Sequence, residues 1–209
     1  MDLFFATYNE DPELVRLGII DAKAITYPHP IDMRIHVCDD GRRPEMRAVC
    51  DQEGVNYITR ATNEGFKAGN LRHAMEQTSG DFIVIFDADT RPFPTLLEHT
   101  LGYFRDPKMA WVQTPQWFYD LPEGVTLTDR LSRRLGTVGG LVGQAVERVV
   151  GEIRIGKDPF VNDAEMFYQV ILRRRNRANA AFCCGAGSIH RREAVMEAAL
   201  RSFGDSVER

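Results

Sequence analysis

The run Phe82-Ile83-Val84-Ile85-Phe86 passes without a break into Asp87-Ala88-Asp89. A short segment that is apolar on both faces reads as a strand buried on both faces. Such strands belong to parallel sheets covered by helices. Its abrupt finish in two acids requires water or a cation at that end. This one segment therefore demands an α/β layout with a polar rim. The rest of the first 115 residues agrees, because short apolar runs alternate there with amphipathic windows. Residues 3–6, 33–38, 55–59, 81–86 and 109–114 read as strands. Residues 11–25, with Pro12 in the first turn, 44–53, stopped by Gly54, and 67–78 read as helices. Phe93, Leu96, Leu97, Thr100, Leu101 and Phe104 repeat at the helical period and predict one more.

Beyond this the pattern loosens. Gly136, Gly139, Gly140, Gly143, Gly151 and Gly156 predict loops and short helices over 116–160. Residues 162–175 read as a helix with Ala164, Phe167, Val170 and Ile171 inward. Its basic end, Arg173-Arg174-Arg175-Asn176-Arg177, reads as a solvated last turn complementing the helix dipole, with a contact to an acidic ligand or a lipid headgroup as the alternative. Residues 181–189 read as a strand and 191–202 as a helix. The expected division is one domain over 1–209, with a nucleotide-binding half (1–115) and a partial acceptor-binding half (116–209), incomplete at the C-terminus.

Composition closes off other classes. With 209 residues and 44% hydrophobic residues, the chain can bury a core and is not a disordered tail. A net charge of -4 gives no basic field for nucleic acid. Cys38, Cys50, Cys183 and Cys184 form no zinc spacing and read as buried small apolar side chains. The five histidines are scattered and read as structural. No apolar stretch is long enough to cross a membrane, and the start has no basic signal region. The abrupt start and end read as those of a piece excised from something longer.

In an open α/β sheet, ligands bind beyond the carboxyl ends of the strands. Three polar clusters fall there: Thr7-Tyr8-Asn9-Glu10, Asp39-Asp40-Gly41 and Asp87-Ala88-Asp89. Asp87 and Asp89, two apart in an extended segment, point to one side and can converge. Two close carboxylates repel unless a cation neutralises them. Magnesium is typically held by one or two carboxylates together with substrate phosphates, so the pair fits a metal–diphosphate site. Neither a P-loop nor a Rossmann glycine fingerprint is present.

The motifs Ala6-Thr7-Tyr8-Asn9-Glu10, Cys38-Asp39-Asp40-Gly41, Lys67-Ala68-Gly69-Asn70, Phe86-Asp87-Ala88-Asp89, Val112-Gln113-Thr114-Pro115-Gln116-Trp117-Phe118 and Phe182-Cys183-Cys184-Gly185 stand in one order. In this order they resemble the processive family 2 glycosyltransferases of the bacterial cellulose synthase type, and Glu165-Met166-Phe167-Tyr168 adds to the likeness. The resemblance implies a GT-A-like (Rossmann-like) mixed sheet flanked by helices. It also implies a UDP-sugar donor, a glucan acceptor, and Mg2+ or Mn2+. Carried over by position, Thr7, Tyr8, Glu10, Asp39, Asp40, Lys67 and Asp87 would bind the donor nucleotide. Asp89, with Asp87, would hold the metal. Thr114, Gln116, Trp117, Phe118, Phe182, Cys184 and Gly185 would line the sugar and acceptor. Gln116 stands where the family often has His, and Cys183 where it often has an aromatic residue. The family's Thr-Glu-Asp base and Gln-x-x-Arg-Trp motif do not occur, so no catalytic base is assigned. The implied activity is inverting β-glucosyl transfer to a polysaccharide. The parent would be embedded in a membrane, in a synthase complex, with this domain on the cytoplasmic face. This chain would bind nucleotide and turn over poorly or not at all. The competing expectations are a sugar nucleotidyltransferase and a non-catalytic scaffold module.

Overall fold

The computed structural model describes residues 1–117, 124–155 and 164–207, with side chains to residue 201. Contacts divide the chain into two compact units, Met1–Thr114 with Phe182–Arg209, and Pro115–Ala181. The segment from Phe182 onward, expected with the second half, instead returns to the first unit and supplies a strand to its sheet.

The first unit carries β1 (Asp2–Thr7), β2 (Arg34–Asp39), β3 (Asn56–Ile58), β4 (Phe82–Asp87) and β5 (Trp111–Gln113). In the second unit, β6 (Val125–Thr126) and β7 (Arg154–Ile155) form a separate antiparallel pair. β8 (Ser188–Arg191) completes the main sheet, whose order is β3-β2-β1-β4-β8-β5. β3, β2, β1 and β4 run parallel, and β8 is antiparallel to both β4 and β5. This is the mixed sheet flanked by helices that the sequence implies.

α1 (Pro12–Lys23), α2 (Pro44–Glu53) and α3 (Phe66–Glu76) are the crossovers. Strand alternation sorts the core into two layers. Leu3, Phe5, Val37, Val84 and Phe86 face α1 and α2 through Val15, Ile19, Met46 and Val49. Phe4, Cys38 and Ile83 face α3 through Ala74 and Leu71. β4 is apolar throughout because both of its faces are covered.

Four expectations need correction. The segment after Pro94 forms hydrogen-bonded turns and a 3-10 helix (Leu101–Arg105), not an α-helix. Pro94 supplies no amide hydrogen, and the Thr100 hydroxyl takes the Leu96 carbonyl at 2.6 Å. The periodic residues still divide, since Leu97 and Phe104 are buried while Phe93 is exposed. The glycine-rich stretch is no loop. It forms α4 (Leu127–Val150), two helical arms folded back at Gly136, whose φ of 65° and ψ of -147° favour glycine. The arms approach so closely that a Cβ at Gly139 would lie 2.2 Å from the Leu131 carbonyl oxygen. Residues 166–172 wind as a π-helix before α5 (Arg173–Arg177), so Tyr168 and Leu172 turn inward and Val170 and Ile171 stay exposed. Finally, only Cys38 and Cys50 are buried cysteines; Cys183 is exposed and Cys184 half-buried.

The amino ends of the strands are clasped by one buried acid. Asp2 accepts from Gly80 N at 2.7 Å and Arg192 Nη2 at 2.7 Å, and lies 3.1 Å from His36 Nε2. Arg192, at the start of α6 (Arg192–Val207), also donates to the Gly80 and Met75 carbonyls and to the Thr78 hydroxyl. Burial alone would raise the Asp2 carboxyl, but the Gly80 amide, His36 and Arg192 hold it below its ordinary value. Burial lowers the His36 pKa below its ordinary value, against the opposing pull of Asp2.

Two outcomes follow from this clasp. Arg192→Met leaves a buried carboxylate unpaired and should cost about 3 kcal/mol in urea unfolding, the low end for breaking such a pair because Arg192 is partly solvated. His36 binds a proton less readily in the folded chain than in the unfolded one. Stability should therefore be complete above the ordinary imidazole value of 6.5 and fall as pH drops through it. Asp2 adds a further loss below 3.8, because its folded carboxylate resists protonation. His36→Gln should flatten the slope between about pH 7 and about pH 5 while leaving the loss at lower pH; an unchanged slope would remove His36 from this role.

Candidate functional site

The parallel register brings the polar clusters to one edge. Thr7 lies opposite Asp39 across β1 and β2, and Ala6 lies opposite Asp87 across β1 and β4. All three clusters therefore sit at the carboxyl ends of neighbouring strands, as expected for a ligand edge of this sheet class.

Their side chains divide sharply by what they already hold. Glu10 folds back to accept from the Thr7 hydroxyl at 2.7 Å, Tyr8 N at 2.7 Å and Asn9 N at 3.2 Å. Burial would raise its pKa, but these donors hold it below the ordinary carboxylate value. Glu10 thus fixes the loop that presents the exposed Tyr8. Asp39 is fully buried and accepts from Gly41 N, Arg43 N, the Arg43 guanidinium and, at 2.9 Å, the Tyr57 hydroxyl. Burial and this bond push the Tyr57 pKa up to about 12. Arg43 also reaches the Thr7 hydroxyl at 2.9 Å and the Glu10 carbonyl at 2.5 Å. Asp40 is gripped at both oxygens by Arg60, each at 2.7 Å. Arg60 in turn holds the Glu64 and Phe66 carbonyls, the loop that begins α3.

That loop explains the Lys67-Ala68-Gly69-Asn70 motif. A Cβ on Gly69 would lie 2.0 Å from the Glu64 carbonyl oxygen, so no side chain fits there. Asn70 is buried and donates to the Cys38 carbonyl at 2.7 Å, anchoring α3 to the end of β2. Lys67 then reaches across and pairs with Asp87.

β4 ends at Asp87, where the chain turns: Thr90 N donates to the Asp87 carbonyl at 3.0 Å, and the Thr90 hydroxyl accepts from Asp87 N at 3.1 Å. The turn, not strand alternation, therefore sets the direction of Asp89. Asp89 is exposed and makes no hydrogen bond or ion pair among the described residues. No group of three or more His, Cys, Asp or Glu side chains that could hold a metal occurs among the described residues. The donor set is one free carboxylate, Asp89, and one shared with Lys67. Such a set fits a hard cation that takes most of its ligands from phosphate oxygens and water.

The second predicted group is divided. Thr114 bonds the Gly187 carbonyl through its amide at 3.0 Å and its hydroxyl at 2.7 Å. Gln113, which sequence reasoning did not single out, accepts from Cys184 N at 2.8 Å and donates to the Ala186 carbonyl at 2.8 Å. These bonds hold the loop of Phe182, Cys184 and Gly185, and a Cβ on Gly185 would stand 3.7 Å from Lys67 Nζ. This loop, Lys67 and Asp87 therefore come together. Gln116 and Trp117 lie in the other unit, Gln116 half-buried and Trp117 exposed. Phe118 lies outside the described residues. Arg43, Tyr57 and Arg60 were also missed; arginines near a run of acids were the available signal.

Comparison with known proteins gives the family. The chain is 37% identical over 198 residues to a cellulose synthase catalytic subunit (UDP-forming) of Pseudomonas fluorescens, covering 94% of this chain and 23% of that protein. It is 38% identical over 196 residues to cellulose synthase 1 of Komagataeibacter xylinus, covering 93% of this chain and 11% of that protein. The chain thus spans about a quarter or less of the length of these relatives. Among solved structures, a mannosyltransferase of Pyrobaculum calidifontis in complex with GDP-Man and Mn2+ superposes with a TM-score of 0.47 at 22% identity, over 57% of this chain and 37% of that one. The profile of glycosyl transferase family 2 matches residues 2–198, and the chain is a member of that family.

Proposed function

We propose that this domain binds a UDP-sugar, with glucose as the sugar, and serves an inverting β-glycosyltransferase that extends a polysaccharide. The observation that carries the reading is the free Asp89 beside the Lys67–Asp87 pair at the strand ends. The name of the Pseudomonas relative, a UDP-forming cellulose synthase subunit, supports the donor and the product.

The residues divide the work by what they can still offer. Asp39, Asp40 and the Oε2 oxygen of Glu10 are held by protein donors, so they shape the nucleotide cleft while the remaining acceptor sites of Asp40 and Glu10 face the donor. Tyr8 is free to lie against a flat base. Lys67 can turn from Asp87 to a phosphate oxygen, a short step for a flexible ammonium stem. Asp89 and the Asp87 carboxylate so released would hold Mg2+ or Mn2+. When bound, that cation supplies Lewis-acid neutralisation of the charge developing on the leaving diphosphate. The Phe182–Gly185 loop, beside Lys67, lines the sugar. In the transfer, an acceptor hydroxyl attacks the anomeric carbon from the face opposite the diphosphate. The bond from that carbon to the diphosphate oxygen breaks, UDP leaves with its electrons, and the hydroxyl proton goes to a base. The 209 residues contain no Thr-Glu-Asp triplet, so donor binding is the part proposed for this chain alone. The parent places the domain at the cytoplasmic face of a membrane, with a glucan as acceptor. No helix among the described residues is long and apolar enough to cross a membrane.

Calorimetric titration with UDP tests this reading. Binding should require Mg2+ or Mn2+, and Asp89→Ala should weaken it by about 3 kcal/mol, as for loss of one partner in a close charge pair. Asp106→Ala, in a distant turn before Pro107, should bind as the parent does. Equal binding by the Asp89 variant would remove that residue from the site. Preference for a nucleoside triphosphate over UDP would favour a nucleotidyltransferase instead.

A further inference from the structure

β5 and β8 pair antiparallel from Trp111 opposite His190 to Gln113 opposite Ser188, and Thr114 N carries the ladder one step further, to the Gly187 carbonyl at 3.0 Å. There the main chain of this strand stops donating, because the next residue is Pro115, which has no amide hydrogen. The facing segment turns twice over the same stretch. Gly187 has a φ of 68° and Gly185 a φ of 90°, both in the left-handed region that favours glycine. A segment wound in this way does not follow a regular strand ladder, so its backbone groups take bonds from side chains.

Gln113 supplies them. Its Oε1 accepts from Cys184 N at 2.8 Å, and its Nε2 donates to the Ala186 carbonyl at 2.8 Å and to the Thr114 carbonyl at 3.2 Å. One carboxamide therefore straddles Gly185, as a peptide group of a continuing strand would. Glutamine carries a donor and an acceptor on one flat end; a carboxylate there could only accept, and an apolar side chain could do neither. The Ser188 hydroxyl adds a bond to the Gly185 carbonyl. Gly185, held from both sides, stands beside the Lys67 ammonium. The sheet order gives this clamp its direction. β8 lies beyond β4, on the side away from β1 and β2. Tyr8, Asp39 and Asp40 stand at the ends of β1 and β2, and Lys67 meets Asp87 at the end of β4. A nucleoside diphosphate sugar with its phosphates at Lys67 and Asp87 therefore has its nucleoside over β1 and β2 and its sugar toward the loop that Gln113 holds.

We propose that Gln113 is a positioning residue for the sugar half of the donor, acting through residues 184–186, and that it sets the affinity for the sugar while leaving the nucleotide half alone. The inference rests on the donor reading given above and adds to it. The contribution of the sugar to binding is governed from β5, by a side chain behind the loop. Its physical basis is preorganisation: a loop already fixed by the carboxamide need not order when the sugar arrives.

Gln113→Met keeps the length of the side chain and removes its bonds, and two measurements on the 209-residue chain test the result. Hydrogen exchange without nucleotide should become faster over residues 182–187 and stay unchanged in β1 and β2. Calorimetry with Mg2+ should show UDP-glucose bound about tenfold more weakly, the worth of one well-placed hydrogen bond, with UDP within about twofold of the parent. Arg191→Met is the structural control. Arg191 donates to the Phe104 carbonyl at 2.9 Å and the Met109 carbonyl at 3.2 Å, at the other end of β8. Its loss should lower the urea midpoint and leave the ratio of the two affinities as in the parent. The proposal is overturned by unchanged exchange over 182–187, by an unchanged affinity for UDP-glucose, or by an equal loss for UDP and UDP-glucose in Gln113→Met. The same shift in ratio from Arg191→Met also overturns it, since the effect then reports lost stability alone. Failure of the parent chain to bind UDP is a separate result: it removes the donor reading itself and takes this role of Gln113 with it.

Discussion

Arg43 stands where the ends of the first two strands would otherwise carry uncompensated buried charge. Asp39 is wholly removed from water, and an isolated carboxylate there would be expensive. The Arg43 guanidinium binds that carboxylate, the Thr7 hydroxyl and the Glu10 carbonyl together, linking the end of β2 to the end of β1 and the loop after it. Tyr57, from β3, adds its hydroxyl to the same acid. One arginine therefore ties three strands of the parallel sheet at the edge where their polar clusters emerge. Without it Asp39 would keep only neutral donors, the Gly41 and Arg43 amides and the Tyr57 hydroxyl, for a buried charge.

The same logic repeats one step further out. Asp40 is neutralised by Arg60, and Arg60 holds the loop that launches α3. α3 aims Lys67 at Asp87. A chain of charge compensation thus runs from the buried interior of the sheet to its exposed rim, each cation fixing the backbone that positions the next. It ends at Asp89, which has no partner among the described residues. Asp39 and Asp40 are held by protein donors at the inner end of this chain. At the opposite end of the sheet the buried Asp2 is held by Gly80, His36 and Arg192.

This division sets how much the sequence discloses. β4 and its acids were plain, because an apolar run bounded by charge has few structural meanings. The order of strands and crossovers followed from the alternation of patterns, and Gly54 stops α2 in the left-handed conformation expected of it. Whether an acid is spent or free was hidden, because it depends on Arg43 and Arg60, which reach their partners only once β1, β2 and β3 are aligned. The α4 hairpin was hidden by its glycines. Glycine reads as a breaker along the chain, yet here only Gly136 breaks the helix, while Gly139 and Gly143 let two helical arms touch. The helical period from Phe93 to Phe104 misled because burial every third or fourth residue suits consecutive tight turns as well as an α-helix.

The two units also differ in how they spend apolar surface. In the first, Leu3, Phe4, Phe5, Val37, Val84 and Phe86 are buried almost completely, and helices cover both faces of the strands. In the second, the hairpin closes its inner seam with glycines and one glutamate, and leaves Leu135, Val138, Leu141, Val142, Val146 and Val149 exposed. A core built only for stability would place those residues in the seam, because burying them is the main source of folding free energy. Placing them outward gives up that stabilisation within the hairpin, so its two arms are held by close backbone packing and the Glu147 bonds.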